Sequence, residues 1–381
     1  MSGYDNLFSP VSLGKLKLEN RVSMAPTYLG MAAFGGGVTD VLVNHYRDMG
    51  ASGAALVVVE NAAVDPSGMG SPMTMRVDSD EFLDGLRKVS SAVKEGGAVA
   101  VQQINYAGRF AYHKEKWGAS PAEIADVVVK EMPLGEIERT AAAYAKSAKL
   151  VKDAGFDGVE IHGGTGYLLV QFLSPLTNRR SDDFGGALEN RMRFPLMVVD
   201  AVRDAVGPDF PVGYRFLADE WLPDGLHAKE TDVFAAELVR RGIDYLSVMA
   251  GTYDSFFLPD YLKAEREQGY MVHFAGHIKK HIEGAAVITA GRIQSPEFAE
   301  EIISSGKADM VGLARVLLAD PLWPKKAAGE IDEPINICEP TCSFCMKRIM
   351  AGKPGYCIRW PRERRERFLA GTGESLEDEE Q

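Results

Sequence analysis

Eight short β-branched runs, each followed by an amphipathic stretch, constrain this chain more than any other feature of its 381 residues. The runs are RVSMAP, AALVVVE, AVAVQQI, DGVEIH, PVGYRF, DYLSVM, AAVITA and ADMVGL, and with their helices they extend from residue 22 to about residue 328. Between them lie patterns of helical period such as EFLDGLRKVSSAVKE, TAAAYAKSAKLVKDAG and ENRMRFPLMVVDAVRDAVG. Gly155, Gly242 and Gly306 stand where helices end before the next strand, which suits a left-handed cap. Strands too apolar to alternate are buried on both faces, as parallel strands covered by helices are. Eight such units in order predict an α/β fold, a (β/α)8 barrel. A doubly wound sheet is the alternative, but no G-x-G-x-x-G follows the first strand.

In a barrel the reactive groups stand at the C-terminal ends of the strands. Those ends read Pro26–Tyr28, Glu60–Asn61, Gln103–Asn105, His162–Tyr167, Arg215, Gly251–Tyr253, Gly291–Arg292 and Gly312–Arg315, a concentration of polar and aromatic residues. The loops AGR (Ala290–Arg292) and GLAR (Gly312–Arg315) follow strands seven and eight, where barrels commonly hold a phosphate on backbone N–H groups and a nearby Arg. A glycine turn with a surface salt bridge is the plainer reading of either loop taken alone. Gln103 donates and accepts in one plane, which suits the edge of a uracil-like ring. Arg215 among buried neighbours would stabilise negative charge on the pyrimidine side of a reduced flavin, unless it pairs with a barrel carboxylate such as Glu60.

All four cysteines fall in CEPTCSFCMKRIMAGKPGYC, from Cys338 to Cys357. A disulfide knot, a zinc site and an iron–sulfur cluster compete for them. The beginning of the chain lacks the basic and apolar regions of a signal peptide, and no apolar run approaches the ~18 residues of a membrane span. A cytoplasmic location is therefore expected, where thiols stay reduced and the disulfide reading weakens. Lys and Arg number 42 against 54 Asp and Glu, a net charge of −12. Such a balance disfavours nucleic acid or an anionic membrane as partner. An Arg-rich stretch, RWPRERRERF, and an acidic end, ESLEDEEQ, complete the chain. The expected division is a barrel over 1–330, a cysteine segment over 331–360 and a charged, disordered tail over 361–381.

LFSPVSLGKLKLENRVSMAP, QINYAGR, HGGTGYLLVQFLSPLTNRRSDDFGGALENRMRF and GRIQSPEFAEEIISSGKADMVGLARVLLADP together resemble the Old Yellow Enzyme family of FMN oxidoreductases, over residues 7 to about 328. NRR-x-D-x-F-G-G and A-R-x-L-L-A-D-P are its more specific segments. The resemblance implies a (β/α)8 barrel with FMN at the strand C-termini, contacted by Ala25, Pro26, Thr27, Asn61, Gln103, Arg215, Gly291, Arg292, Gly312 and Arg315. The spacing C-x3-C-x2-C-x11-C, directly after the barrel, is similar to the cluster segment of 2,4-dienoyl-CoA reductases and trimethylamine dehydrogenases. It implies a [4Fe–4S] cluster on Cys338, Cys342, Cys345 and Cys357, with Cys342 displaced by one residue from the usual reductase pattern. Four thiolates would also satisfy zinc. That branch continues into an FAD- and NAD(P)-binding domain, and 24 residues follow Cys357 here (381 − 357). The expectation is then that a separate electron-transfer protein or flavoprotein feeds the cluster, or that a nicotinamide docks directly.

The resemblance also implies catalytic positions, and this chain departs from the pattern at several of them. Ene-reductases carry His-x-x-His or His-x-x-Asn after the fourth strand; here His162 is followed by Thr165. Tyr167 matches the proton donor of the dienoyl-CoA reductases, whose partner His corresponds to Tyr253. Tyr28 stands where Thr or Cys usually tunes the flavin. The expected reaction is hydride transfer to a C=C bond conjugated to a carbonyl or thioester, with His162 polarising the carbonyl and Tyr167 or Tyr253 protonating the α-carbon. The substrate is a small molecule, a CoA thioester among the candidates, and a homo-oligomer is among the expected assemblies. Two rivals are amine oxidation, with Tyr28, Tyr167 and Tyr253 as an aromatic bowl, and an electron-transfer subunit without an organic substrate.

Overall fold

Residues 3–124 and 126–377 are described by the computed structural model. The eight expected runs form strands β1 (Val22–Met24), β2 (Leu56–Ala63), β3 (Val99–Asn105), β4 (Gly158–Gly163), β5 (Val212–Asp219), β6 (Tyr245–Ala250), β7 (Ala286–Thr289) and β8 (Met310–Leu313). Every neighbouring pair is parallel, and β1 pairs with both β2 and β8, which closes the sheet. The fold is the predicted (β/α)8 barrel. Helices α1 (Asp40–Gly50), α2 (Leu83–Glu95), α3 (Leu134–Asp153), α4 (Leu188–Val206), α5 (Ala228–Arg240), α6 (Val272–His281), α7 (Pro296–Ser304) and the short α8 (Arg315–Ala319) alternate with the strands. Gly155, Gly242 and Gly306 take φ of +81°, +82° and +70°, the left-handed caps that a side chain would strain.

Both ends of the barrel carry additions whose short strands gave no clear period. At the N-terminal end, the hairpin Val11–Leu13/Leu16–Leu18 inserts Leu13, Leu16 and Leu18 against Leu56, Val101, Tyr245 and Met310. Between β3 and α3, strands Lys116–Gly118, Ala122–Ile124 and Val127–Glu131 form a separate sheet. β5 extends four residues beyond Arg215, which therefore lies in the body of the strand rather than at its end. Among the described residues no helix is long and apolar enough to cross a membrane.

The cysteine segment is held against the barrel. Gly355 donates its N–H to the Leu29 carbonyl at 2.8 Å, and the indole of the buried Trp360 donates to the Leu318 carbonyl at 2.5 Å. Helix α9 (Phe344–Met350) lies within this segment. The stretch expected as a disordered tail contains a helix instead, α10 (Arg362–Thr372), closed by Gly373 at φ +78°. It packs on α1 through Arg364, which pairs with Asp48 at 2.8 Å and lies over the Trp360 ring at 4.2 Å. Leu369 is fully buried and Phe368 packs on Tyr356 and Trp360, so apolar anchors and an ion pair dock a helix whose charge suggested solvent. Residues 378–381 of the acidic end lie outside the described residues.

His45 on α1 is buried at this junction, and neither ring nitrogen has a hydrogen-bond partner among the described residues. Burial, aided by the Arg364 charge, lowers its pKa from 6.5 to about 3. The unfolded chain thus binds a proton that the folded chain excludes between pH 6.5 and 3, so the contribution is complete above pH 6.5 and is lost on acidification. His45 should cost about 2 kcal/mol of stability between pH 7 and 5. Urea unfolding of wild type and His45→Leu at the two pH values should show the variant losing that much less; equal losses would mean that His45 takes up a proton in the folded state.

Candidate active site

The parallel register brings the site residues into rows. His162 on β4, Arg215 on β5 and Ser247 on β6 are direct neighbours, and one row below them Gln103 lies beside Glu160. Arg215 donates to the Ser247 hydroxyl at 2.7 Å, and Gln103 donates its amide to Glu160 at 2.7 Å. Burial raises the Glu160 carboxyl pKa, and the nearby Arg215 charge opposes the rise. The carboxylate facing Arg215 is thus Glu160, not Glu60. Glu60 instead accepts the Leu29 N–H at 3.3 Å, and burial pushes its pKa to about 8, which leaves it protonated at neutral pH.

Ala25, Pro26, Arg215, Gly291, Arg292, Gly312 and Arg315 line one cavity at the C-terminal mouth, together with Tyr270, Met271 and Cys338. The two loops predicted to hold a phosphate therefore converge. A methyl at Gly291, whose φ is +107°, would press on the Met271 backbone nitrogen at 3.0 Å, so the close approach requires glycine. Arg292, itself at φ +53°, donates Nε to the Glu265 carbonyl at 2.7 Å and Nη1 to the Cys338 carbonyl at 3.4 Å. Its buried Nη2 has no partner among the described residues, the sign of a missing acceptor. Arg315 pairs with Glu265 at 3.9 Å, partly exposed. This set fits the phosphate end of an FMN. Three other expected flavin contacts lie outside the cavity lining. Thr27 donates to the Ala25 carbonyl at 3.0 Å, Gln103 is held by Glu160, and Asn61 sits where the β2–β3 register shifts between Val59 and Ala62.

The candidate proton-transfer residues form one cluster. Tyr167 and Tyr253 share a hydrogen bond of 2.8 Å, and the Tyr167 ring meets His162 edge-on at 4.9 Å. His162 Nδ1 accepts the Gly164 N–H at 3.2 Å; a backbone N–H only donates, so the neutral ring carries its proton on Nε2. Burial, with the Arg215 charge adding to it, lowers the imidazole pKa to about 3, so His162 is a neutral donor across the physiological range. Burial raises the Tyr167 phenol well above its usual value, and raises Tyr253 as well. Tyr253 is 39 % exposed while Tyr167 is buried, so the pair joins solvent to the interior. Phe110 and Phe256 pack on Tyr253 at ring separations of 4.9 and 5.7 Å and extend the aromatic wall. Thr165 has φ +62°, strained for a β-branched residue, and its hydroxyl is directed at the Met249 sulfur at 3.6 Å. The Tyr28 hydroxyl donates to Ser71 at 2.7 Å.

The four cysteines are free, half-buried thiols. Burial raises the pKa of Cys338, Cys345 and Cys357, and the charge of neighbouring cysteines adds to the rise, Cys342 acting on all three. Arg315 and Arg292 oppose the rise at Cys338. A single tetrahedral zinc, with bonds of about 2.3 Å, needs its sulfurs ~3.8 Å apart. The four thiolates of a cluster bind different irons, so they stand further apart than the ligands of one zinc. Three of the arginines following the segment are engaged within the chain: Arg359 with Glu339, Arg362 with Glu366 and Arg364 with Asp48.

Sequence reading missed the supports rather than the site: Glu160, Ser247, Ser71, Met249 and Tyr270. Glu160 and Ser247 carried a usable signal, as polar residues within the apolar runs DGVEIH and DYLSVM. Ser71, Met249 and Tyr270 carried none, because only the fold brings them to the mouth.

Comparison with known proteins agrees with this geometry. The model of the NADH:flavin oxidoreductase / NADH oxidase family matches residues 6–333. The NADH oxidase of Thermoanaerobacter brockii is 39% identical over 347 residues, covering 89% of this chain and 53% of that protein. 2-Naphthoyl-CoA reductase, solved in complex with 2-naphthoyl-CoA, superposes with a TM-score of 0.90 at 28% identity, over 94% of this chain and 57% of the other. Histamine dehydrogenase from Rhizobium sp. 4-9 superposes with a TM-score of 0.84 at 27% identity, over 95% and 53%. The chain thus spans about half the length of these relatives. With its closed barrel and a family match over nearly all of that barrel, the chain belongs to the NADH:flavin oxidoreductase / NADH oxidase family of flavin-dependent oxidoreductases.

Proposed function

We propose that this chain reduces an electron-poor C=C bond conjugated to a carbonyl or thioester, with FMN in the barrel mouth and a [4Fe–4S] cluster on Cys338, Cys342, Cys345 and Cys357. The observation that carries this reading is the neutral His162 set against the Tyr167–Tyr253 phenol pair. When bound, FMN supplies the hydride and the cluster supplies single electrons. His162 Nε2–H donates to the substrate carbonyl oxygen, where negative charge develops as the double bond is reduced. Tyr253 takes a proton from solvent and Tyr167 passes one inward to the α-carbon. Arg215, fixed by Ser247, stabilises negative charge beside the flavin pyrimidine ring, and Arg292 and Arg315 hold the phosphate.

Cys338 lies on the wall of the cavity that Arg292 and Arg315 line, so a cluster held by the four cysteines would adjoin the mouth and would supply it with single electrons. A separate electron-transfer protein would feed the cluster, or a nicotinamide would dock directly at the mouth and deliver hydride to the flavin. The likeness to 2-naphthoyl-CoA reductase favours a conjugated CoA thioester as substrate, and four free thiols suit the cytoplasm. Amine oxidation is the second reading, favoured by the aromatic wall and by the likeness to histamine dehydrogenase. Adding enones, enoyl-CoAs and methylated amines separately to reduced and oxidised protein separates the two. Enones or enoyl-CoAs should reoxidise the reduced flavin; bleaching of the oxidised flavin by amines alone would decide for oxidation.

Replacing Tyr167 with Phe keeps the ring and removes the proton. Reoxidation of the reduced protein by substrate should slow by roughly 10²–10⁴-fold, with flavin reduction unchanged. Tyr253→Phe should slow the same step less, because Tyr167 still holds its own proton for the first turnover. If neither change alters the rate, the phenols are only a wall. Arg215→Met should lower the flavin reduction potential or abolish binding, since it removes the cation beside the reduced ring. Wild-type affinity and potential in that variant would show that Arg215 faces something else.

A further inference from the structure

On the outside of the barrel, away from the mouth, Asp232 on α5 meets His277 and His281 on α6. His277 and His281 are one helical turn apart, which puts both imidazoles on one face, with ring centroids 4.3 Å apart. One atom from each of the three side chains lies within 4.8 Å of the others. His277 Nε2 is 2.9 and 3.0 Å from the two Asp232 carboxylate oxygens, and His281 Nε2 is 4.0 Å from one of them. The last gap is too long for a hydrogen bond, and it is a gap that a metal ion spans. We propose that Asp232, His277 and His281 form a site for a divalent transition-metal ion of the Zn²⁺ type, one that clamps α5 to α6.

Three features suit these side chains to that role. His281 Nδ1 lies 2.8 Å from the His277 carbonyl, which only accepts, so Nδ1 carries the hydrogen and Nε2 presents a lone pair. A tetrahedral ion with bonds of about 2.0–2.1 Å holds its ligand atoms about 3.3–3.4 Å apart. The observed distances lie on either side of that value; an ion would replace the hydrogen that His277 Nε2 donates to Asp232, the neutral ring carrying its proton on Nδ1 instead, and small rotations of half-exposed side chains complete the geometry. Two imidazoles and one carboxylate select Zn²⁺, Ni²⁺ or Cu²⁺ over Mg²⁺ and Ca²⁺, and water fills the remaining position. The clamped helices follow β5 and β6, the strands whose Arg215–Ser247 bond orders the mouth, so the ion braces that pair from outside.

The site is tested by calorimetric titration of Zn²⁺, with Mg²⁺ as control, into the anaerobically prepared full chain with its own cofactors. Wild type, His281→Ala and His277→Ala are compared, and the circular dichroism of each is checked. Each variant should bind Zn²⁺ at least about tenfold more weakly than wild type, and Zn²⁺ should raise the melting temperature of wild type alone. Because the cysteines also have affinity for zinc, the difference between wild type and the variants is the decisive quantity. Affinities within a factor of about two in all three proteins would assign the ion to the thiols and overturn the site. Absence of any binding to wild type at about 1 mM Zn²⁺ would overturn it as well; the histidine–aspartate contact would then be an ordinary ion pair.

Discussion

Closure of the sheet is the constraint on which the rest depends. An open sheet leaves the backbone groups of its two edge strands unpaired, and closure removes those edges; here β1 pairs with both β2 and β8. Once the ring closes, the C-terminal ends of all eight strands converge on one mouth. Residues as distant as Pro26 and Arg315 then share a cavity. The strand bodies fill the interior mostly with apolar side chains, and the polar candidates gather toward the end where the loops emerge, with Arg215 set within β5.

Within that ring a few polar side chains are buried at a cost, and each is compensated locally. Arg215 has Ser247 and the nearby Glu160, while Gln103 gives one amide hydrogen to Glu160. His162 loses its charge through burial and keeps a fixed tautomer through Gly164. The result is a neutral hydrogen-bond donor beside a fixed cation, an arrangement that stabilises developing negative charge without changing protonation near pH 7. The left-handed φ of Thr165 and Arg292 marks the same region, since such strain persists only where surrounding structure enforces it.

The C-terminal segment is anchored to this frame by backbone contacts and two buried aromatic residues. Gly355 bonds to Leu29, Trp360 to Leu318, and Tyr356 is fully buried. Those anchors set Cys338 on the wall of the cavity that Arg292 and Arg315 line. Arginines that read as a solvated or docking run are partly used inside the chain, where they hold α10 to α1 and the segment to itself.

The barrel was legible in the sequence because hydrophobic period is a local property: eight apolar runs and the caps at Gly155, Gly242 and Gly306 need no partner to be recognised. The mouth followed from strand order, and the four cysteines from their spacing. What the sequence could not contain were contacts whose members lie far apart along the chain. The substitution of Glu160 for Glu60 as the carboxylate near Arg215 depends on strand register, which a one-residue slip would reverse. The pairing of Tyr167 with Tyr253, 86 residues apart, depends on two loops meeting. The helix at Arg362–Thr372 was hidden because its composition is polar; Leu369, Arg364 and the α1 surface order it only once the barrel exists to receive them. Sequence by itself thus determined which elements form and in what order. Tertiary structure decided which buried charges face each other, because burial and distance, not residue type, set their energies.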